Sequence, residues 1–152
     1  MKTRSTDDQQ HPANASDKLP EESDMAFAQR LRETLREHAL RLFEETARDV
    51  EASGIQAILD LQLEHDQVPS LGLSVRHPGD EASSYYRIVG DIARRGVIHQ
   101  EFYADSGINR TQTAQLSSIN QKVIDTHLAA LLSGAFALSL ARLRRRNPAG
   151  FW

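Results

Sequence analysis

Apolar residues between Ser23 and Ser53 recur with a helical period. Phe27, Ala28, Leu31, Leu35, Ala39, Leu42, Phe43, Thr46 and Val50 share one side of a helical wheel, while Arg30, Glu33, Glu37, Arg41, Glu44, Arg48 and Glu51 share the other. This predicts one long amphipathic helix. Ser23 stands where an N-cap is needed, Asp24 suits the positive end of the dipole, and Gly54 supplies a left-handed stop. His38 falls inside the apolar stripe, where a histidine at the core's edge that finds one hydrogen-bond partner is the commoner outcome than a ligand.

After Gly54 the period changes to two. Ile55, Ala57, Leu59, Leu61 and Leu63 alternate with Gln56, Ile58, Asp60, Gln62 and Glu64, and Leu71, Leu73 and Val75 repeat the pattern beyond a turn holding Asp66 and Pro69. A hairpin that buries the odd positions of both strands pairs residues of like parity, for instance Leu63 with Leu73 and Leu61 with Val75. That register keeps His65 and His77 at opposite ends, so they do not form a metal pair.

The turn signal His77-Pro78-Gly79-Asp80 opens a second hairpin. Tyr86, Ile88, Gly90 and Ile92 occupy even positions in its first strand, and Ile98, Phe102 and Ala104 do so in its second. A connection Arg94-Arg95-Gly96 with a left-handed glycine at its last position would bring these sets together, Ile92 against Ile98 and Ile88 against Phe102. Asp91 would then oppose His99, and Arg87 would oppose Tyr103, on the polar surface. Residues 105–117 read as a polar loop that could end in a helical turn. From Ser118 a long helix is expected to about Arg146, stopped by Asn147-Pro148.

The expected fold is therefore α+β: a two-layer arrangement in the order α-β-β-β-β-α, with a four-stranded antiparallel sheet and long N-terminal and C-terminal helices on one face. Residues 1–23 hold five acidic side chains (Asp7, Asp8, Asp17, Glu21, Glu22), three basic ones and almost nothing apolar, the composition of a disordered tail. Residues 24–152 form the single folded domain. The segment Leu128–Ala141 is apolar nearly all round, too short to cross a bilayer comfortably, and carries Ala130, Gly134, Ala137 and Ala141 at close-packing spacings. Its excess of apolar surface motivates a homodimer through this helix.

Composition narrows the chemistry. The 152 residues include no cysteine, which excludes disulfides, thiolate metal sites and a cysteine nucleophile. No phosphate loop, nucleophile elbow, HExxH or acidic calcium loop is present. The tail has neither the apolar run of a secretory signal nor the acid-poor composition of a transit peptide, so the expected address is cytoplasmic. With a net charge of −3, general nucleic-acid binding is disfavoured.

The polar sheet face offers the candidate site. Asp91, His99 and Glu101 could act as a histidine base flanked by two carboxylates, or hold a divalent ion through one nitrogen and two oxygens. Tyr85, Arg87 and Tyr103 on the same face could stack bases or contact a protein. Arg142, Arg144, Arg145 and Arg146 suit the negative end of the last helix, and beside Phe151 and Trp152 they could also meet an anionic partner, nucleic acid or lipid surface. Alternating polar residues arise on any solvated sheet face, so the leading expectation is a non-catalytic protein-interaction module, adaptor-like or chaperone-like, with no metal or cofactor. A ligand- or metal-dependent enzyme on the sheet face, and binding of an anionic polymer or surface by the C-terminal arginines, are the alternatives.

Overall fold

The computed structural model describes residues 22–136. Helix α1 (Asp24–His38) begins where expected, the Ala26 N–H donating to Ser23 Oγ at 3.0 Å. The chain then bends at Ala39 (φ −122°, ψ −42°), and a second helix, α2 (Leu40–Ala52), follows. The single predicted helix is two. Neither proline nor glycine stands at the break, so nothing local announces it; the bend lets Phe27, Leu31 and Leu35 of α1 and Leu42, Phe43 and Val50 of α2 all reach one core. It also turns Ala39 inward and leaves His38 exposed, not at the core's edge. Gly54 ends α2 with φ 85°, as expected.

Five antiparallel strands form a meander in the order β1-β2-β3-β4-β5: β1 (Gln56–Gln62), β2 (Ser70–Arg76), β3 (Ser84–Asp91), β4 (Gly96–Tyr103) and β5 (Ile108–Ala114). A short 3-10 turn (Leu116–Ser118) leads into α3 (Gln121–Phe136). The helices pack on one side of the sheet, α2 over β1 and β2 and α3 over β3 and β4. The α+β class and the antiparallel sheet stand, but the sheet has five strands and the N-terminal helical region is broken.

The extra strand is the segment read as a polar loop. Of INRTQTA, every residue but Ala114 is exposed, so its two faces carry no alternation to betray it. Its pairing with β4 supplies the backbone hydrogen bonds, and Gly107 (φ 72°) closes the turn through its N–H to Tyr103 O at 2.8 Å.

Register decides which side chains meet. In β1–β2 the odd positions face the helices as expected, though Leu61 pairs with Leu71 and Leu59 with Leu73, because β1 stops at Gln62 and the connection runs through residues 63–69. The second hairpin departs further. Asp91 pairs with Gly96, Ile88 with His99 and Tyr86 with Glu101, so the connection is the four residues Ile92-Ala93-Arg94-Arg95. A change of parity turns every β4 side chain to the other face. Val97, His99 and Glu101 are buried against the helices, whereas Ile98 and Phe102 share the outer face with Tyr85 and Val89.

Two residues explain that turn. Arg95, not Gly96, takes the left-handed conformation (φ 53°), a cost of about 1–2 kcal/mol for a side-chain-bearing residue. Its guanidinium offsets the strain by donating to Glu22 O at 2.7 Å and pairing with Asp24 Oδ1 at 2.9 Å. Gly96 is needed for space: a Cβ there would lie 2.6 Å from Ala114 O in the neighbouring strand. Gly96→Ala is therefore expected to cost about 1–3 kcal/mol in urea unfolding and to speed amide exchange in β5 before the rest of the sheet.

Candidate functional site

Across the sheet, the inward-facing row changes character. One row runs Leu59, Leu73, Tyr86, Glu101 and Arg110; the next runs Leu61, Leu71, Ile88, His99 and Gln112. It is apolar where α2 lies over it and polar beneath α3 and beyond. His127 of α3 meets this polar half because it lies on the same helical stripe as Ile124, Leu128 and Leu131, all buried.

The Tyr86, His127 and His99 rings stack, with His127 4.6 Å from Tyr86 and 4.8 Å from His99 between centroids. Phe43 of α2 lies 5.5 Å from Tyr86 and continues the stack into the apolar core. Gly134 makes room for the last aromatic of the site: a Cβ there would be 2.9 Å from the Tyr103 ring. What the small residue admits at this position is a side chain of the same chain, not a second backbone.

Hydrogen bonds fix the state of His99. The Ser118 hydroxyl donates to Gln115 O at 2.7 Å, so its contact with His99 Nε2 at 2.8 Å is made by the ring N–H donating to Ser118 Oγ. Nδ1 then accepts from the Tyr86 hydroxyl at 2.8 Å. His99 is a neutral imidazole with both nitrogens engaged. Burial, helped by the neighbouring His127 and opposed by Glu101, lowers its pKa to about 4. Burial also pushes the Tyr86 hydroxyl well above its ordinary range.

Glu101 carries the site's negative charge. Its Oε2 lies 2.5 Å from His127 Nδ1, Tyr103 donates to Oε1 at 3.3 Å, and Arg110 approaches to 4.0 Å. The His127 hydrogen bond is the chief cause that holds this carboxyl below the usual range despite burial. Tyr103 is pushed up to about 12 by burial and by the Glu101 charge. His99, Glu101 and His127 line one wall of a cavity of about 660 Å³, with Asn109, Arg110, Thr111 and Gln112 of β5 forming the other.

Chemically, Glu101 can orient His127 and leave Nε2 as a hydrogen-bond acceptor or general base. Ser118 is not poised as a nucleophile, because its own proton is committed to a carbonyl and His99 donates to it. Among the described residues no three His, Asp or Glu side chains gather to hold a metal ion.

Of the residues singled out in the sequence, His99 and Glu101 come together, but on the helix-covered face. Asp91 lies apart on the other face at the end of β3, 3.7 Å from Arg94, so the expected trio does not assemble. Tyr103 joins Glu101 inside. Tyr85 and Arg87 stay outside, Tyr85 stacking on Phe102 at 5.5 Å with the Arg87 guanidinium 4.9 Å from its ring. Arg142, Arg144, Arg145 and Arg146 lie outside the described residues. Sequence reasoning missed Tyr86, Ser118 and His127 as site residues; a histidine placed in the apolar stripe of α3 was the available signal for the last.

No protein family matches the chain, and neither the curated proteins nor the solved structures include a significant match. Among the described residues no helix is long and apolar enough to cross a membrane.

The neutral, depressed His99 makes a pH prediction. Folded His99 refuses a proton that the unfolded chain accepts below its ordinary pKa of 6.5, so its contribution to stability is complete above pH 6.5 and is lost as pH falls toward about 4. Urea unfolding between those values is expected to show a slope of about 1.4 kcal/mol per pH unit from this one proton, flattened in His99→Gln. The His99 ring resonances in the wild-type protein should titrate near that lower midpoint and report the Nε2–H tautomer.

Proposed function

We propose that this protein is a non-catalytic protein-interaction module, adaptor-like or chaperone-like, that acts as a cytoplasmic homodimer. The observation that carries the reading is the state of β5. It is the last strand of the sheet, seven residues long, exposed on both faces except at Ala114, and free of proline and lysine, its single charge Arg110 being turned toward Glu101. Sheet edges are ordinarily blunted by such residues, by bulges or by a covering helix, because their unpaired N–H and C=O groups accept another strand. A partner strand added there would extend the sheet by backbone hydrogen bonds, with Thr111 and Thr113 suited to cross-strand pairing.

One further observation supports it, and another narrows it. The polar side chains of the candidate site are spent on one another, His99 on Tyr86 and Ser118 and Glu101 on His127 and Tyr103, which suits a stable scaffold. The described part of α3 buries Ile124, Leu128, Leu131 and Leu132 against its own chain. Its apolar excess is thus largely covered as far as Phe136, and pairing through the C-terminal helix rests on Ala137 and Ala141, outside the described residues.

A second reading has one observation in its favour. Glu101 and His127 form a buried carboxylate–histidine pair beside a cavity large enough for a metabolite, which suits ligand binding with proton transfer.

Sedimentation of the full chain at about 50 μM, where a micromolar dimer is largely assembled, is expected to show a dimer. The N–H groups of β5 alternate between β4 and the free edge, so of Thr111→Pro and Gln112→Pro one keeps the β4 ladder and the wild-type melting temperature. That variant should be monomeric. A monomeric wild type, or a folded proline variant at each position that still dimerises, removes edge pairing. Dissociation by Ala137→Glu and Ala141→Glu instead would assign the interface to the C-terminal helix.

A further inference from the structure

A second cavity, of about 480 Å³, lies between α1 and the β1–β2 connection, far in character from the first. Its walls are largely apolar, with Met25, Ala28, Val68, Pro69 and Ile92, and Met25 and Val68 are 82% and 49% exposed. Such side chains have no structural need to stand open to water on facing sides of a groove.

Beneath them sits Arg32, only 4% exposed. Its guanidinium donates to Gln29 Oε1 at 3.1 Å and to the carbonyls of Glu64 and His65 at 3.5 and 3.2 Å, all neutral acceptors. Its Nε–H is the one buried side-chain N or O without a hydrogen-bond partner among the described residues. No carboxylate among them lies within ion-pair distance of it. The acidic side chains on the cavity wall are otherwise placed: Asp24 pairs with Arg95 at 2.9 Å, and Asp66 is exposed in the β1–β2 connection. A buried cation with neutral partners and an orphaned donor is costly, and an anion is what it lacks.

We propose that this cavity is a binding site for a small monocarboxylate with an apolar tail, such as a medium-chain fatty acid. The carboxylate takes the unmatched charge of Arg32 at Nη1, displacing Gln29 Oε1, which holds that nitrogen and lines the same cavity. The tail lies between Met25 and Val68 and against Ile92. A phosphate or a dicarboxylate suits the site less, because one guanidinium meets one carboxylate and Asp24 and Asp66 flank the rim. The assignment is independent of the role of β5.

Octanoate titrated into the full-length protein and followed by ¹H–¹⁵N NMR tests it, with octanol and acetate as probes lacking the head or the tail. Octanoate is expected to move the amides of residues 63–69 and the Arg32 Nε–H resonance, and to bind at least tenfold more tightly than either control. Arg32→Met keeps the volume of the side chain without its charge and should lower octanoate affinity at least tenfold. Val68→Asp, on the exposed wall, should do the same without disturbing α1. Absence of octanoate binding up to about 10 mM, equal binding of octanol, or unchanged affinity in folded Arg32→Met or Val68→Asp overturns the proposal.

Discussion

The charge of Glu101 sits 7% exposed at the point where helix cover over the sheet runs out, and it must be matched there. An unpaired carboxylate in that position would cost several kcal/mol. His127 at 2.5 Å, the Tyr103 hydroxyl and the more distant Arg110 do the matching, and each comes from a different element. This pairing holds α3 against β4 in one rotational setting, because His127 can reach the carboxylate only when Ile124, Leu128 and Leu131 face inward with it. The ring stack from Phe43 through Tyr86 to His127 then joins both ends of the chain's helical cover across the sheet.

The consequence is a core of two halves. Beneath α2 the inner face is aliphatic, and burial alone holds it. Beneath α3 it is a hydrogen-bonded network whose partners are nearly all accounted for, which specifies geometry more than it adds stability. Beyond β4 only Ala114 still packs against the core, and β5 is held mainly by its backbone ladder and by the close approach of Gly96 to Ala114. An edge built in this way leaves its outer backbone groups without a strand partner among the described residues, and His99 within the network stays neutral at neutral pH.

Arg32 is the counterpart of Glu101 with the opposite outcome. Both are charged and buried, yet one has a ring nitrogen and a hydroxyl arranged around it, and the other has backbone carbonyls, an amide and one orphaned donor. The two ends of the molecule therefore differ in kind: a satisfied polar network beside one cavity, and an unsatisfied cation beneath apolar walls at the other.

Much of the fold was legible in the residues themselves. The helical stripe of Phe27 to Val50, the Ser23 cap, the Gly54 stop and the inward odd positions of β1 and β2 follow from local periodicity, because burial of one face imposes it. The break at Ala39 was not legible, since no backbone-perturbing residue marks it and only packing on the sheet requires it. Strand β5 was silent because a strand open on both faces needs no hydrophobic alternation. The parity of β4 was the costliest ambiguity: Val97-Ile98-His99 offers apolar side chains to both faces, and the choice fell to the turn, where Arg95 accepts a left-handed backbone in exchange for contacts with Glu22 and Asp24 some seventy residues earlier. The sequence by itself determined the element types and the apolar half of the core. Tertiary structure alone decided that His99 and Glu101 point inward to meet Tyr86 and His127, because a one-residue difference in a turn reverses a whole strand and only long-range contacts distinguish the two turns.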